Sequence, residues 1–268
     1  MKEMKRVLVV NDDGYKAAGI RALIKQLSTT FDVTAVAPAH EQSWMGKSIS
    51  GHRDLVFEPA EHYEFKGHTV DGTPADSAQI GMYELFDGNL PDFVVSGINH
   101  GANVGVGHIL SSGTVGAALE AAIQGVPAFA SSVWNVKHAN RGVDFNGVES
   151  VRLFETAASI TQAIIEKVIA KGFPEGIQVI SINLPHDVRP DAKWVVTRPH
   201  SEVYGKLFLS EQGVFRNKGY HELKDSVELD SDLAALARGH VSIIPIFIEI
   251  TSREKRAELA RILDAELA

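Results

Sequence analysis

Two aspartates stand side by side in VVNDDGY, Val9 to Tyr15, directly after a short apolar run. Adjacent carboxylates repel, which raises a pKa unless a cation compensates, and a hard divalent ion held by oxygen ligands is the common compensation. Asn11, Asp12 and Asp13 are therefore candidates for cation chemistry. The structural alternative is an Asx-type turn in which Gly14 takes a positive φ, and these residues alone do not separate the two readings.

A second concentration of chemistry lies in SGINHGANVGVGHILSSGTVGAALEAAIQGVP, where five glycines from Gly97 to Gly113 precede a helical stripe of Val115, Ala118, Leu119, Ala122 and Ile123. Backbone N–H groups of a glycine-rich turn opening into a helix N-terminus form a site for phosphate, and Ser112 or Thr114 adds a hydroxyl donor. The simpler reading makes Ser112 or Thr114 only the cap of that helix, although glycines this dense exceed what a cap requires. In the polar loop PAHEQSWMGKS, Ser43 is placed to reach the same region. TPAD, Thr73 to Asp76, has a cap residue, a proline at the first helical position and a carboxylate three residues past the cap, and reads as structural.

These residues need a frame that brings them together. RVLVV, Arg6 to Val10, reads as a buried strand, and AAGIRALIKQL after it has Ile20, Leu23, Ile24 and Leu27 at helical spacing. DVTAVAP, PDFVVSGI, AFASSV and IQVISINLP read as further strands, with helices over about 114–124 and 150–170 between them. The alternation predicts a three-layer α/β/α, Rossmann-like core with a mostly parallel sheet. Ligands of such sheets sit at the carboxyl ends of strands, where both NDDG and SGIN lie, so the two loops meet over one crevice. RDLVFE and YEFKGHTVDG look like short antiparallel strands, and the stretch from Lys193 to Tyr220 is hairpin-like. With no repeat and no linker composition, the expectation is one domain, with core residues about 1–185 and 225–250. An extension for partners would occupy about 190–224, with a C-terminal helix over 252–268.

Composition narrows the function. The chain has 268 residues, 44% of them hydrophobic, and a formal net charge of -8, which argues against a dedicated nucleic-acid binder. It has no cysteine, so any metal must be held by oxygen or imidazole, and a reducing compartment is favoured. Only four apolar residues, Val7 to Val10, precede NDDG, too few for a signal peptide or membrane span, and a cytoplasmic location is expected. MGKS lacks the earlier glycine of a P-loop, since Glu41 stands there. No G-x-G-x-x-G follows the first strand, no G-x-S-x-G elbow is present, and the eleven histidines include no H-E-x-x-H.

Taken together, VVNDDGY, Gln42-Ser43, DGTPADS, VVSGINHGANVG, SSGTVGAALEA and ARGHVSIIPI occur in the order seen in the SurE family of metal-dependent 5'-nucleotidases, which the chain resembles from about Val7 to about Thr251. That resemblance implies hydrolysis of nucleoside 5'-monophosphates, with 3'-nucleotides and short polyphosphate as further substrates. It implies one divalent ion per subunit, Mg²⁺ or Mn²⁺, held by Asp12, Asp13, Ser43 and Asn99. The catalytic residues would be Asp12, Asp13 and Asn99, with Asp12 as general base. Asn11, Asn103, Ser112, Gly113 and Thr114 would hold the substrate phosphate. A C-terminal segment exchanged between subunits would give a homodimer or homotetramer, with a small-molecule nucleotide as ligand and neither a nucleic-acid polymer nor a membrane as partner. Two positions depart from the family pattern: Ser111 replaces the usual tyrosine before SGTV, and Trp44 stands where a small residue is common. The alternative function is a non-catalytic nucleotide or phosphate sensor built on the same loop.

Overall fold

The strand β1, Arg6–Val10, is apolar and buried from Val7 to Val10, as a strand covered on both faces must be. The computed structural model describes residues 4–60, 67–134, 142–201, 205–217 and 228–266. After β1 come α1 (Ala18–Leu27), β2 (Asp32–Pro38), β3 (Phe57–Pro59), β4 (Gly67–Val70), α2 (Pro74–Glu84), β5 (Phe93–Asn99), α3 (Gly105–Ser111), α4 (Gly113–Ile123) and β6 (Ala128–Trp134). A 3₁₀ turn (Glu149–Phe154) leads into α5 (Glu155–Lys171), followed by β7 (Val179–Pro185), β8 (Trp194–Val196), β9 (Phe208–Glu211), β10 (Val214–Asn217), α6 (Asp232–Ala237), β11 (Val241–Ile246) and α7 (Arg253–Leu263).

Among the described residues the main sheet runs β3-β4-β2-β1-β5-β6-β7-β11-β8, and β9 with β10 forms a separate antiparallel hairpin. The six strands from β4 to β7 are mutually parallel. The chain builds outward from β1 through β2 to β4, then returns to β5 on the other side of β1. That reversal makes the β1/β5 boundary the topological switch point, where a crevice opens at the carboxyl ends of the strands.

Side-chain alternation along β1 assigns the two faces. Val7 and Val9 join Ile20 and Leu23 of α1 and Ile165 of α5 in one core cluster. Leu8 and Val10 join Met82 of α2 and Val115 and Ala118 of α4 in the other. The predicted three-layer α/β/α arrangement is thus the observed one. The structural reading of TPAD also holds: it opens α2 with a full capping box, Thr73 accepting from Asp76 N and Asp76 accepting from Thr73 N.

Four details differ from the sequence reading. Trp194–Val196, expected in the extension, is an edge strand of the main sheet, paired in parallel with β11. Three residues carry no readable periodicity, so only the pairing reveals them. Among the described residues the hairpin runs over Phe208–Asn217, and α3 interrupts the glycine-rich segment, which the sequence reads as a turn. Of RDLVFE only Phe57 and Glu58 enter a strand, antiparallel to β4. Residues 63–66 of the adjoining expected strand, and 202–204 and 218–224 of the expected extension, lie outside the described residues. No single helix among the described residues is long and apolar enough to cross a membrane.

The capping box also ties α2 to a loop, because Thr73 Oγ1 donates to Ser48 O at 2.6 Å and Asp76 Oδ1 accepts from Ser50 N at 3.0 Å. Thr73→Val should cost on the order of 1–2 kcal/mol in urea unfolding. Asp76→Ala should cost more, since it strips the partner from two backbone N–H groups. Midpoints equal to wild type would show that the box contributes nothing.

Candidate active site

At the end of β1 the buried Asn11 donates from Nδ2 to Gly14 O at 2.9 Å, and Gly14 has φ +93°. Gly14 takes the expected positive φ, but the Asn11 amide donates where an Asx turn would have its oxygen accept, so the turn is closed differently from the Asx type. It aims the next two residues in different directions. Asp12 points toward α4, where its Oδ1 accepts from Thr114 Oγ1 at 2.5 Å. Gly113 permits that approach, since a Cβ there would lie 2.8 Å from Asp12 Cβ. Asp13 points toward β5, where its Oδ2 accepts from His100 N at 2.9 Å.

His100 completes the Asp13 side. Its Nε2 accepts from Gly19 N at 3.3 Å, which leaves the ring proton on Nδ1, 3.5 Å from Asp13 Oδ1. The ring is packed by Phe145 and Phe154, with centroids 5.0 and 4.9 Å away. Sequence reasoning assigned His100 no role. Its one signal was its place directly after Asn99 at a strand end.

Asn99 donates from Nδ2 to Gly101 O at 2.6 Å, leaving Oδ1 as the acceptor of that amide. Ser43 is exposed at the rim, where its hydroxyl donates to Glu41 Oε1 at 2.7 Å. Asp12, Asp13, Ser43 and Asn99 line one cleft of about 190 Å³, together with Trp44, Asn103, His108, Ser111 and Ser112. The five phosphate candidates divide. Asn103 and Ser112 line the cleft, whereas Asn11 is turned into its own turn and Thr114 is fully buried with its hydroxyl bound to Asp12. Gly113 shapes the contact between α4 and Asp12. Ser112 also caps α4, its Oγ accepting from Val115 N at 3.1 Å, so the capping and cleft readings of this residue coexist.

Long-range bonds hold the glycine-rich segment. Asn103 donates from N to Asn183 Oδ1 at 2.8 Å and from Nδ2 to Ser132 Oγ at 2.8 Å. Ser132 and Asn183 are buried in β6 and β7, and sequence reasoning passed over both as members of apolar strands. Two residues later, Gly105 N donates to Asp232 Oδ2 at 2.6 Å, while Asp232 Oδ1 accepts from His200 N and faces His200 Nδ1 at 2.9 Å. The loop that carries Ser43 is fastened at both ends. Gln42 N donates to Asp12 O at 2.8 Å, and Gly46 N donates to Ser111 O at 2.9 Å. Between them Trp44 adopts φ +65°, a left-handed conformation that bulky residues seldom take.

Burial, reinforced by the charge of Asp13, pushes the Asp12 carboxyl up to about 7, against the opposing hydrogen bond from Thr114. Among the described residues no lysine or arginine is ion-paired with Asp12. The donor chemistry fits a hard cation, with two carboxylates, an amide oxygen and a hydroxyl oxygen lining one cleft. No group of three or more His, Cys, Asp or Glu able to hold a metal occurs among the described residues. Two carboxylates with neutral oxygens suit Mg²⁺, which keeps much of its water, better than a soft metal.

The family model described as Survival protein SurE matches residues 7–206. The chain belongs to the SurE family. It is 35% identical over 97% of its length to a protein of Methanothrix thermoacetophila named 5'-nucleotidase SurE, covering 99% of that relative. A protein of the same name from Archaeoglobus fulgidus is 36% identical over 92% of this chain and 93% of its own. The crystal structure of the SurE protein from Aquifex aeolicus matches with a TM-score of 0.79 at 29% identity, over 97% of this chain and all of that one. In this SurE chain the hairpin β9–β10 lies between the edge strand β8 and the core elements α6 and β11, α7 follows β11, and Phe208, Leu209, Val214 and Phe215 of the hairpin are exposed.

The Asp12 carboxyl has a folded pKa of about 7 against roughly 3.9 when unfolded, so between those values the folded state holds the proton and the unfolded state does not. Its contribution to stability therefore falls as pH rises from about 4 to 7 and stays unfavourable above, by on the order of 4 kcal/mol. With EDTA present, Asp12→Asn should raise Tm at pH 8 relative to wild type and change it little at pH 4.5. Mg²⁺ or Mn²⁺ should raise the wild-type Tm more at pH 8 than at pH 5, and the variant much less. Calorimetry showing the same wild-type-to-variant difference at both pH values would contradict this assignment.

Proposed function

We propose that this chain is a metal-dependent 5'-nucleotidase that hydrolyses nucleoside 5'-monophosphates to nucleoside and phosphate, with 3'-nucleotides and short polyphosphate as further substrates. The observation that carries this reading is the cleft at the switch point, where Asp12, Asp13 and Asn99 face Ser112 at the N-terminus of α4. The archaeal relatives named 5'-nucleotidase SurE support the reaction class.

Asp12, Asp13, Ser43 and Asn99 would hold one Mg²⁺ or Mn²⁺. When bound, the ion offsets charge on the phosphoryl oxygens and makes water a better nucleophile near neutral pH. The remaining work falls to the protein. The Ser112 hydroxyl and the N–H of Gly113 at the start of α4 receive phosphate oxygens, and these bonds strengthen as charge develops there in the transition state. Asn103, oriented by Ser132 and Asn183, adds an amide to the same wall. Asp12 takes the proton of the attacking water, its carboxylate fixed by the Thr114 hydroxyl. The new bond joins water oxygen to phosphorus, the phosphorus–nucleoside oxygen bond breaks, and the nucleoside oxygen leaves with a proton. Asp13 is oriented by His100 from two sides.

The exposed apolar residues of β9–β10 suit exchange between subunits of a homodimer or homotetramer. A chain without cysteine suits a cytoplasmic location.

Phosphate release from nucleoside 5'- and 3'-monophosphates with Mg²⁺ or Mn²⁺ should stop on addition of EDTA. Asp12→Asn should lower kcat by roughly 10²–10⁴-fold, the range of general acid–base contributions. Turnover that survives chelation would reject the metal, and a wild-type rate in the variant at saturating metal would reject the role of Asp12. Nucleotide binding with no turnover would replace the enzyme by a sensor.

A further inference from the structure

The cleft changes character from floor to rim. Its floor is polar, built from Asp12, Asp13, Asn99 and Ser112, whereas one side of its rim is the indole of Trp44. Trp44 remains 41% exposed. Its ring tilts against His108, with centroids 5.7 Å apart and planes at 51°. His108 is itself buried, and that burial holds its imidazole below the ordinary value, so near neutral pH it presents an uncharged ring. Lys47, the cation of this loop, is taken by Glu120 at 2.6 Å. Beside Trp44 and His108 the rim therefore offers a ligand aromatic surface, and the Glu41 carboxylate lies at the neighbouring Ser43, from whose hydroxyl it accepts.

The position of Trp44 is set by the same groups that set the floor. The loop is bonded on one side to the carbonyl of Asp12 and on the other to that of Ser111, next to the cap of α4. It also packs close on α4, where a Cβ added at Gly116 would fall 2.1 Å from Gly46 O. A tryptophan held in a left-handed backbone conformation by fastenings on both sides is positioned, and the positioning leaves much of its ring to solvent. A hydrophobic ring that served only to fill the interior would be covered.

A ligand that satisfies both ends has an anion at one end and a flat π-system at the other. A cleft of about 190 Å³ is smaller than the ~300 Å³ at which drug-sized ligand pockets begin, so the phosphate end fits within and the far end emerges over the rim. We infer that Trp44 forms a nucleobase-stacking subsite, and that the chain thereby selects nucleoside monophosphates over phosphomonoesters that lack a base. This inference rests on the phosphomonoesterase reading above. Stacking tolerates every base, because each has a π-face, so the subsite separates nucleotides from sugar phosphates.

The test compares AMP with ribose 5-phosphate, which is the same substrate without its base, in wild type, Trp44→Ala and Trp44→Phe. The ratio of kcat/KM for AMP to that for ribose 5-phosphate should fall about ten-fold in Trp44→Ala, chiefly through KM for AMP, and be largely retained in Trp44→Phe. A ratio unchanged by Trp44→Ala overturns the subsite while leaving the hydrolase intact. If wild type releases phosphate from neither compound, the hydrolase reading has failed and the subsite is read by fluorescence instead. Adenosine should then quench the emission that distinguishes wild type from Trp44→Phe, which keeps Trp134 and Trp194. Absence of that quenching overturns the subsite independently of turnover.

Discussion

Two carboxylates on consecutive residues cannot both be buried and charged without compensation, and the switch-point end of this fold is arranged around that constraint. The chain divides the problem between two elements. Asp12 is answered by the Thr114 hydroxyl at the start of α4, where the helix dipole also favours negative charge, and Asp13 by the backbone and ring of His100 after β5. Neither answer contains a full positive charge on a flexible side chain. Dipoles lower the cost of the charges without neutralising them, so the cleft stays receptive to a cation and, beside it, to an anion bound through backbone N–H groups. A lysine in either position would have made the apo fold more comfortable and closed the site.

The same constraint explains which parts of the structure were legible in sequence. RVLVV, AAGIRALIKQL and TPAD each carry their signal within a few residues: an unbroken apolar run, a helical period, a reciprocal cap. From them followed the parallel sheet and the meeting of NDDG and SGIN over one crevice. The rest depends on partners far apart in the chain. His100 gains its role only by facing Asp13, and Ser132 and Asn183 only by facing Asn103. The three residues of β8 become a strand only by pairing with β11. Within SGINHGANVGVGHILSSGTV the glycine density concealed a short helix, because glycine is a poor helix former and the segment showed no stripe.

Several alternatives posed by the sequence turn out to be compatible. Gly14 takes the expected positive φ in a turn closed by the Asn11 amide, and that turn is what separates the directions of Asp12 and Asp13. Ser112 caps a helix and also faces the cleft. A residue that completes the hydrogen bonding of a helix end is already held rigidly where that end points, which is the requirement for a ligand contact.

The bond from Gly105 N to Asp232 bears on how the molecule is made. Asp12, Asp13, Ser43, Asn99 and Ser112 all leave the ribosome within the first half of synthesis, yet the carboxylate that anchors the glycine-rich segment between Asn99 and Ser112 emerges only with residue 232. A nascent chain that stalls before this point holds every cleft residue, together with Ser132 and Asn183, and still lacks one of the bonds that hold the segment between them. The last quarter of the sequence thus supplies the final anchor of a loop made in the first half.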